Sequence, residues 1–340
     1  MAFKNIKYYT TAIHRISLTS NKGKVINLHN LPIKNFMVVD SLLIVDTGRD
    51  NGLMAIFSMK DYTYKGSLIN KGRASGEFIQ GINLCLYTTF SKKNNNLYAT
   101  IYDMVTGKTY STNISLFLKY GTTQLTEVFK ETKIPQPAFW VKEIKDSTLI
   151  ARVLTNEETA QKRYIIKKGG IAPIPKMEFA DSFVVPKDED FNLLSSLIGI
   201  SPDGNKCVEA MMGMNYINVY SPINGSGYTI CCGNKMDNLS DVLSLPKAER
   251  KYMFADVRAY SFGFAVLKYD ITEKDFQLGK EHTPTIMVFD WNGNELVEII
   301  PGTNFNHFDI DANNKMLYIL NSNGDITRYN ISMAKLPTHD

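Results

Sequence analysis

Short apolar runs of four to seven residues, each fenced by turn dipeptides, recur along the chain, and this rhythm constrains the fold more than any other feature. Asn51-Gly52, Asp203-Gly204, Asn224-Gly225, Asn292-Gly293 and Asn323-Gly324 are hairpin signals, because both residue types tolerate positive φ. Between them lie runs such as Phe36–Val39, Leu42–Val45, Leu97–Tyr102, Ile217–Tyr220, Phe262–Leu267, Ile286–Phe289 and Met316–Leu320, all of strand length.

The runs group into a longer repeat. Inner strands are expected near Phe36, Ile82, Phe139, Ser196, Asp256 and His307, at intervals of 46, 57, 57, 60 and 51 residues. That spacing is too long for a solenoid and suits four-stranded propeller blades. Six such units fit the 340 residues. The last unit supplies three strands, Phe305–Asp311, Met316–Leu320 and Ile326–Tyr329, while Gly23–Leu28 is a strand without a blade of its own. Pairing the two closes the ring and removes an exposed edge. The expectation is one all-β domain over residues 1–340, a six-bladed β-propeller closed by the N-terminal strand 23–28. Helical patterns are few and read as loop insertions: Thr123–Lys130, with Leu125, Val128 and Phe129 on one side; Asn238–Leu245; and the polar Thr155–Arg163.

Several stretches resemble a known family. Leu43–Thr47, Met54–Phe57, Gly66 and then Lys71-Gly72-Arg73-Ala74-Ser75-Gly76-Glu77-Phe78 are similar to the first blade of TolB-like, NHL-like six-bladed propellers. Ala74 and Ser75 stand where that family usually has Gly and Pro. Ile200-Ser201-Pro202-Asp203-Gly204 resembles the Ser-Pro-Asp-Gly turn of TolB-type blades, and Asp309–Asp311 followed by Lys315–Leu320 keeps the same rhythm. The resemblance implies a bacterial propeller of a group rich in exported lipoproteins of unknown function. Such a protein would carry a lipobox Cys near its start, and none stands there. A place in the cell envelope is expected if a leader has been removed.

Charge excludes some partners. Lys+Arg number 38 and Asp+Glu 34, a net +4, too weak a bias for nucleic acid or an anionic membrane. No apolar run approaches the roughly 20 residues of a spanning helix. Cys85, Cys207, Cys231 and Cys232 form no C-x-x-C and read as buried free thiols.

The chemistry candidates are weak by spacing alone. The glycines of Gly72–Glu77 read as a blade-connecting turn, since no helix pattern follows to make a phosphate loop. Among His14, His29, His282, His307 and His339 no metalloprotease pairing occurs. No G-x-S-x-G is present either. Two readings follow. The first is a non-catalytic binding or scaffold propeller, monomeric and without cofactor, for a protein, a peptide or a small polar ligand. It would use a face carrying Arg49, Asp50, Arg73, Glu77, Trp140 and His307. The second is a metal-assisted hydrolase or lyase in the central channel. There Asn83, Glu143, Asp256 and Asp309 would hold calcium through oxygen ligands from several blades. Trp291, at a hairpin tip, is expected to pack on its own blade, and the charged insertion Asp270–Pro284 to be functional or mobile.

Overall fold

The computed structural model describes residues 2–18, 23–74, 76–145, 147–155, 160–187 and 189–337. Ser75, Glu157, Glu158 and His339, singled out above or lying in stretches that were, fall outside them. Six small sheets stand in a ring. Three short strands come first: β1 (Ile6–Tyr9), β2 (Arg15–Ser17) and β3 (Lys24–Ile26). Blade one is β4 (Asn35–Val39), β5 (Leu42–Asp46), β6 (Met54–Ser58) and β7 (Tyr64–Leu68). Blade two is β8 (Thr88–Lys93), β9 (Asn96–Asp103), β10 (Lys108–Asn113) and β11 (Thr126–Val128). Blade three is β12 (Ala138–Glu143), β13 (Leu149–Leu154), β14 (Gln161–Lys167) and β15 (Gly170–Pro173). Blade four is β16 (Ser196–Ile200), β17 (Cys207–Met211), β18 (Tyr216–Tyr220) and β19 (Gly227–Cys232). Blade five is β20 (Lys251–Ala259), β21 (Gly263–Thr272), β22 (Thr285–Asp290) and β23 (Glu295–Ile300). Blade six is β24 (Phe305–Asp311), β25 (Met316–Asn321) and β26 (Ile326–Asn330), with β3 as its fourth strand.

The first 28 residues do more than the sequence suggests. β1 adds to blade four in parallel, Ile6 opposite Thr229, and β2 adds to blade five in parallel, Arg15 opposite Glu298. β3 then pairs antiparallel with β26, Ile26 opposite Ile326. One strap therefore covers the outer edges of three successive blades, edges that would otherwise present unpaired N–H and C=O groups.

Each blade is buried on both faces, which is why its middle strands read as near-continuous apolar runs rather than alternating ones. In β5, Leu43 and Val45 pack toward blade six, and Leu42 and Ile44 toward blade two. The hairpins use the expected turn chemistry. At Gly225, with φ of +66°, a Cβ would sit 1.7 Å from the Pro175 carbonyl oxygen, so only glycine fits. Ser201 Oγ donates to Asp203 Oδ1 at 2.5 Å inside the 201–204 turn.

Two helical expectations fail. Residues 126–128 form the edge strand β11, while the helix lies earlier, at Ile114–Tyr120, capped by Asn113 Oδ1 accepting from Leu116 N and by Gly121 in the left-handed region. The polar 155–163 stretch runs into β14, with residues 156–159 outside the described set. The helix at Leu239–Ser244 does form, capped by Asn238, as does a short helix Glu273–Gln277 within the charged insertion.

Candidate functional site

The six inner strands, β4, β8, β12, β16, β20 and β24, surround a central channel. Five of them contain the residue near which the sequence places them. The second does not: residues 84–87 form a turn, and the inner strand starts at Thr88. Asn83 is therefore not a channel residue but a turn cap, its Oδ1 accepting from Cys85 N at 3.0 Å and Leu86 N at 2.9 Å. The shift brings Cys85 to the channel instead.

A cavity of about 180 Å³ occupies the channel, with walls from all six blades: Val38, Thr88, Lys142, Gly199, Arg258 and Asp309 among them, together with Cys85. The same walls open into a wider mouth of about 430 Å³ beside Asp40, Lys92 and Asp311. An unusual set of buried charges lies in and beside the cavity: Lys142, Arg258 and Asp309 on its wall, with Asp256 and His307 next to them. Asp256 Oδ1 accepts from Arg258 Nη1 at 2.5 Å, and Asp256 Oδ2 lies 3.0 Å from His307 Nδ1. Arg258 Nη2 donates to the Phe36 carbonyl at 3.2 Å. Asp309 accepts from Tyr260 Oη at 2.9 Å and from Val38 N at 2.8 Å. Lys142, 7% exposed, donates to the carbonyls of Leu84 at 3.2 Å and Thr88 at 2.5 Å.

Burial raises the carboxyl pKa of Asp256, but the Arg258 guanidinium and the His307 ring outweigh it and hold the group below its usual range. At Asp309 burial wins over Arg258, and the carboxyl is pushed up. Burial pulls the His307 pKa down, yet the Asp256 carboxylate, with Cys85 beside the ring, carries it up to about 10. Burial lowers Lys142 to about 7, because no carboxylate among the described residues pairs with it.

These two shifts act on stability with opposite sign. His307 binds its proton more tightly folded than unfolded, so its contribution is complete below about pH 6.5 and is lost as pH rises through about 10. Lys142 binds its proton less tightly folded, so its penalty is complete below about pH 7 and fades as pH rises toward 10.5. His307→Asn is therefore expected to be less stable than the parent at pH 6, and Lys142→Met more stable. Both gaps should narrow by about 4–5 kcal/mol at most on going to pH 10. Urea melts at the two pH values check this, and gaps that do not change with pH would contradict it.

The other sequence candidates fall elsewhere. Trp140 is fully buried between blades three and four, against Ile150, Ile198 and Tyr220, and does not reach the channel mouth. Its bulk made it look like a ligand platform, but the same bulk fills the inter-blade core. Glu143 does not face Asp256; its carboxylate accepts from Lys93 Nζ at 2.9 Å and Thr100 Oγ1 at 2.5 Å, in blade two. Asn83, Glu143, Asp256 and Asp309 thus form no common oxygen cage, and Asp256 already carries a guanidinium, so the set does not fit calcium. Asp50 pairs with Lys71 at 3.2 Å, Glu77 Oε2 accepts from Ala74 N at 3.0 Å, and Arg49 and Arg73 stand on the same loops of blade one. No hydrogen bond or ion pair among the described residues joins these four to His307. Trp291 packs on its own blade against Phe264, its Nε1 donating to the Tyr260 carbonyl at 2.9 Å.

Lys142, Arg258 and Cys85 escaped sequence reasoning. No motif spacing marks them, and Lys142 and Arg258 look like ordinary solvated cations until the inner strands place them at the axis.

Fold and channel together define a six-bladed β-propeller. No family model matches the chain, and no curated protein matches it. It is similar to a solved structure from the DUF4221 family of Bacteroides vulgatus, at 10% identity and a TM-score of 0.53, over 94% of this chain and 96% of that one. It is also similar to a Bacteroides fragilis protein classed as exported, at 11% identity and a TM-score of 0.51, over 89% and 87%.

Proposed function

We propose that this protein is a binding propeller whose central channel takes a small anionic ligand. One observation carries the reading: Lys142 is a buried amine on the cavity wall, a cation below about pH 7, that meets two backbone carbonyls and no carboxylate among the described residues. An ammonium has three donors, so one remains for a ligand. Burying a cation without a counter-charge is costly, and a bound anion removes that cost. The charged side chains on the cavity wall are Lys142, Arg258 and Asp309, a cationic excess that suits a carboxylate or phosphate. The proposal extends to the chain acting as one domain and a monomer, since β3 ties the first residues to the last blade. It also keeps the kinship with TolB-like propellers, on the Ser201–Gly204 turn.

Thermal melts with malonate, succinate and phosphate, set against malonamide and succinamide, test the reading. At about 100 times Kd a ligand adds about 2.7 kcal/mol of stability. The expected result is a rise in Tm with at least one anion, none with the neutral amides, and no rise in Lys142→Met. An equal rise with the amides, or an undiminished one in the variant, would overturn it.

A further inference from the structure

The anion reading leaves one group of the cavity unused. Cys85 sits in the turn entering β8, half-buried, with its side chain on the cavity wall. The remaining three cysteines, Cys207, Cys231 and Cys232, are buried in the blades. Cys85 Sγ, a ring nitrogen of His307 and a carboxylate oxygen of Asp256 lie within 4.8 Å of one another. The three residues come from three different blades or their connections, so the fold alone brings them together. Asp256 is held from both sides, by Arg258 Nη1 at 2.5 Å and by His307 Nδ1 at 3.0 Å, which fixes the orientation of the ring. Lys142 and Arg258 are also electrostatic neighbours of Cys85. A partly exposed sulfur ringed by cations, with an imidazole oriented by a carboxylate, is the arrangement that activates a thiol nucleophile.

We propose that Cys85 is a nucleophile, with His307 as its acid–base partner and Asp256 as the group that positions the ring, and that the site cleaves small esters or thioesters whose acyl group carries a carboxylate. The carboxylate requirement rests on the anion reading of Lys142. The attacking form is the pair in which the His307 ring holds the proton and Cys85 the electron pair, and sulfur forms a bond to the acyl carbon. The bond from that carbon to the leaving oxygen or sulfur breaks, and the leaving group departs with the proton from His307. Water then attacks the acyl-cysteine, giving its proton to His307. The carbon–sulfur bond breaks, the acid leaves, and the proton stays on His307, restoring the starting pair. Negative charge on the carbonyl oxygen develops beside Arg258 and His307, while the remaining Lys142 donor holds the acyl carboxylate. The cavity of about 180 Å³ admits only a short acyl chain. The same three donors could hold a soft divalent ion. However, Asp256 already carries the Arg258 guanidinium, and Lys142 lies close by, so a second positive charge is opposed.

Mono-4-nitrophenyl succinate is the probe, with 4-nitrophenyl butyrate as its uncharged counterpart. The expected result is a burst of nitrophenolate, a succinyl mass on the peptide containing Cys85, and a loss of about 10²-fold or more in rate in Cys85→Ser and His307→Asn. Cys85→Ser is nearly isosteric and carries the decision; melts run alongside show whether His307→Asn remains folded. An unchanged rate in Cys85→Ser, or label on another residue only, would overturn the proposal. Tight zinc binding that Cys85→Ser abolishes would overturn it in favour of a metal centre. Anion-induced stabilisation without ester cleavage would end this proposal and leave the binding reading standing. Cleavage of both esters at equal rates would keep the nucleophile and end the anion reading.

Discussion

A chain shortened to begin at residue 29 is expected to lose the native fold and to be recovered as aggregate. The truncation removes β1, β2 and β3 and so bares the edges of blades four, five and six at once. Bare edges pair with other chains. It also strips Phe3, Ile16, Leu18, Ile26 and Leu28 out of the core, each 8% exposed or less in the intact protein. Burial of such a side chain contributes about 1.5–3 kcal/mol. Five together match the whole net stability of a typical protein, about 5–15 kcal/mol. A chain beginning at residue 13 loses only Phe3 and β1 and is expected to remain folded but less stable. Light scattering after gel filtration, with circular dichroism melts, separates the cases. A soluble monomer from the longer truncation with the parent's Tm would refute the role given to the strap.

Glu209→Gln is expected to destabilise the protein by about 3–5 kcal/mol, the usual cost of breaking a buried ion pair from one side. Glu209 is wholly buried between blades three and four. Arg163 Nε and Nη2 donate to its two oxygens at 2.7 and 2.8 Å, and Arg152 Nη1 donates at 3.2 Å. Ser196 Oγ and Tyr220 Oη complete the shell. Arg163 also meets Asp181 at 2.5 Å, so two cations balance two carboxylates. Burial raises the Glu209 pKa, but the two guanidinium groups outweigh it and hold it at about 2. Neutralising Glu209 leaves one buried positive charge in excess. Arg152→Met in the Glu209→Gln background removes that excess, so the double variant should be more stable than Glu209→Gln alone. Additive losses in urea melts would show that the charges are not coupled.

The scaffold was legible because a propeller repeats itself. Asn-Gly and Asp-Gly turns recur, and each middle strand, buried on two faces, reads as an unbroken apolar run such as Leu42–Val45. Five of the six inner strands follow from that, and with them the places of Asp256, His307 and Asp309 on strands around the channel. Three features were not legible, each for a physical reason. Ile82 and Leu84 are apolar and read as the second inner strand, yet they pack in the inter-blade core ahead of the turn. That error of six residues put Asn83 in the channel and hid Cys85. Leu125, Val128 and Phe129 have helical spacing, but pairing with β10 at a sheet edge overrides it. Arg152, Arg163 and Glu209 are residue types that belong at surfaces, and only the approach of two blades brings them together in the interior.

The proposed functional centre lies in the channel and not on the rim loops of blade one. The most direct measurement is the position of bound bromide, located by anomalous diffraction from crystals soaked in a bromide salt. The account predicts a peak inside the channel within hydrogen-bonding reach of Lys142 Nζ. Peaks confined to the rim near Arg49 and Arg73, with the channel occupied only by water, would contradict it.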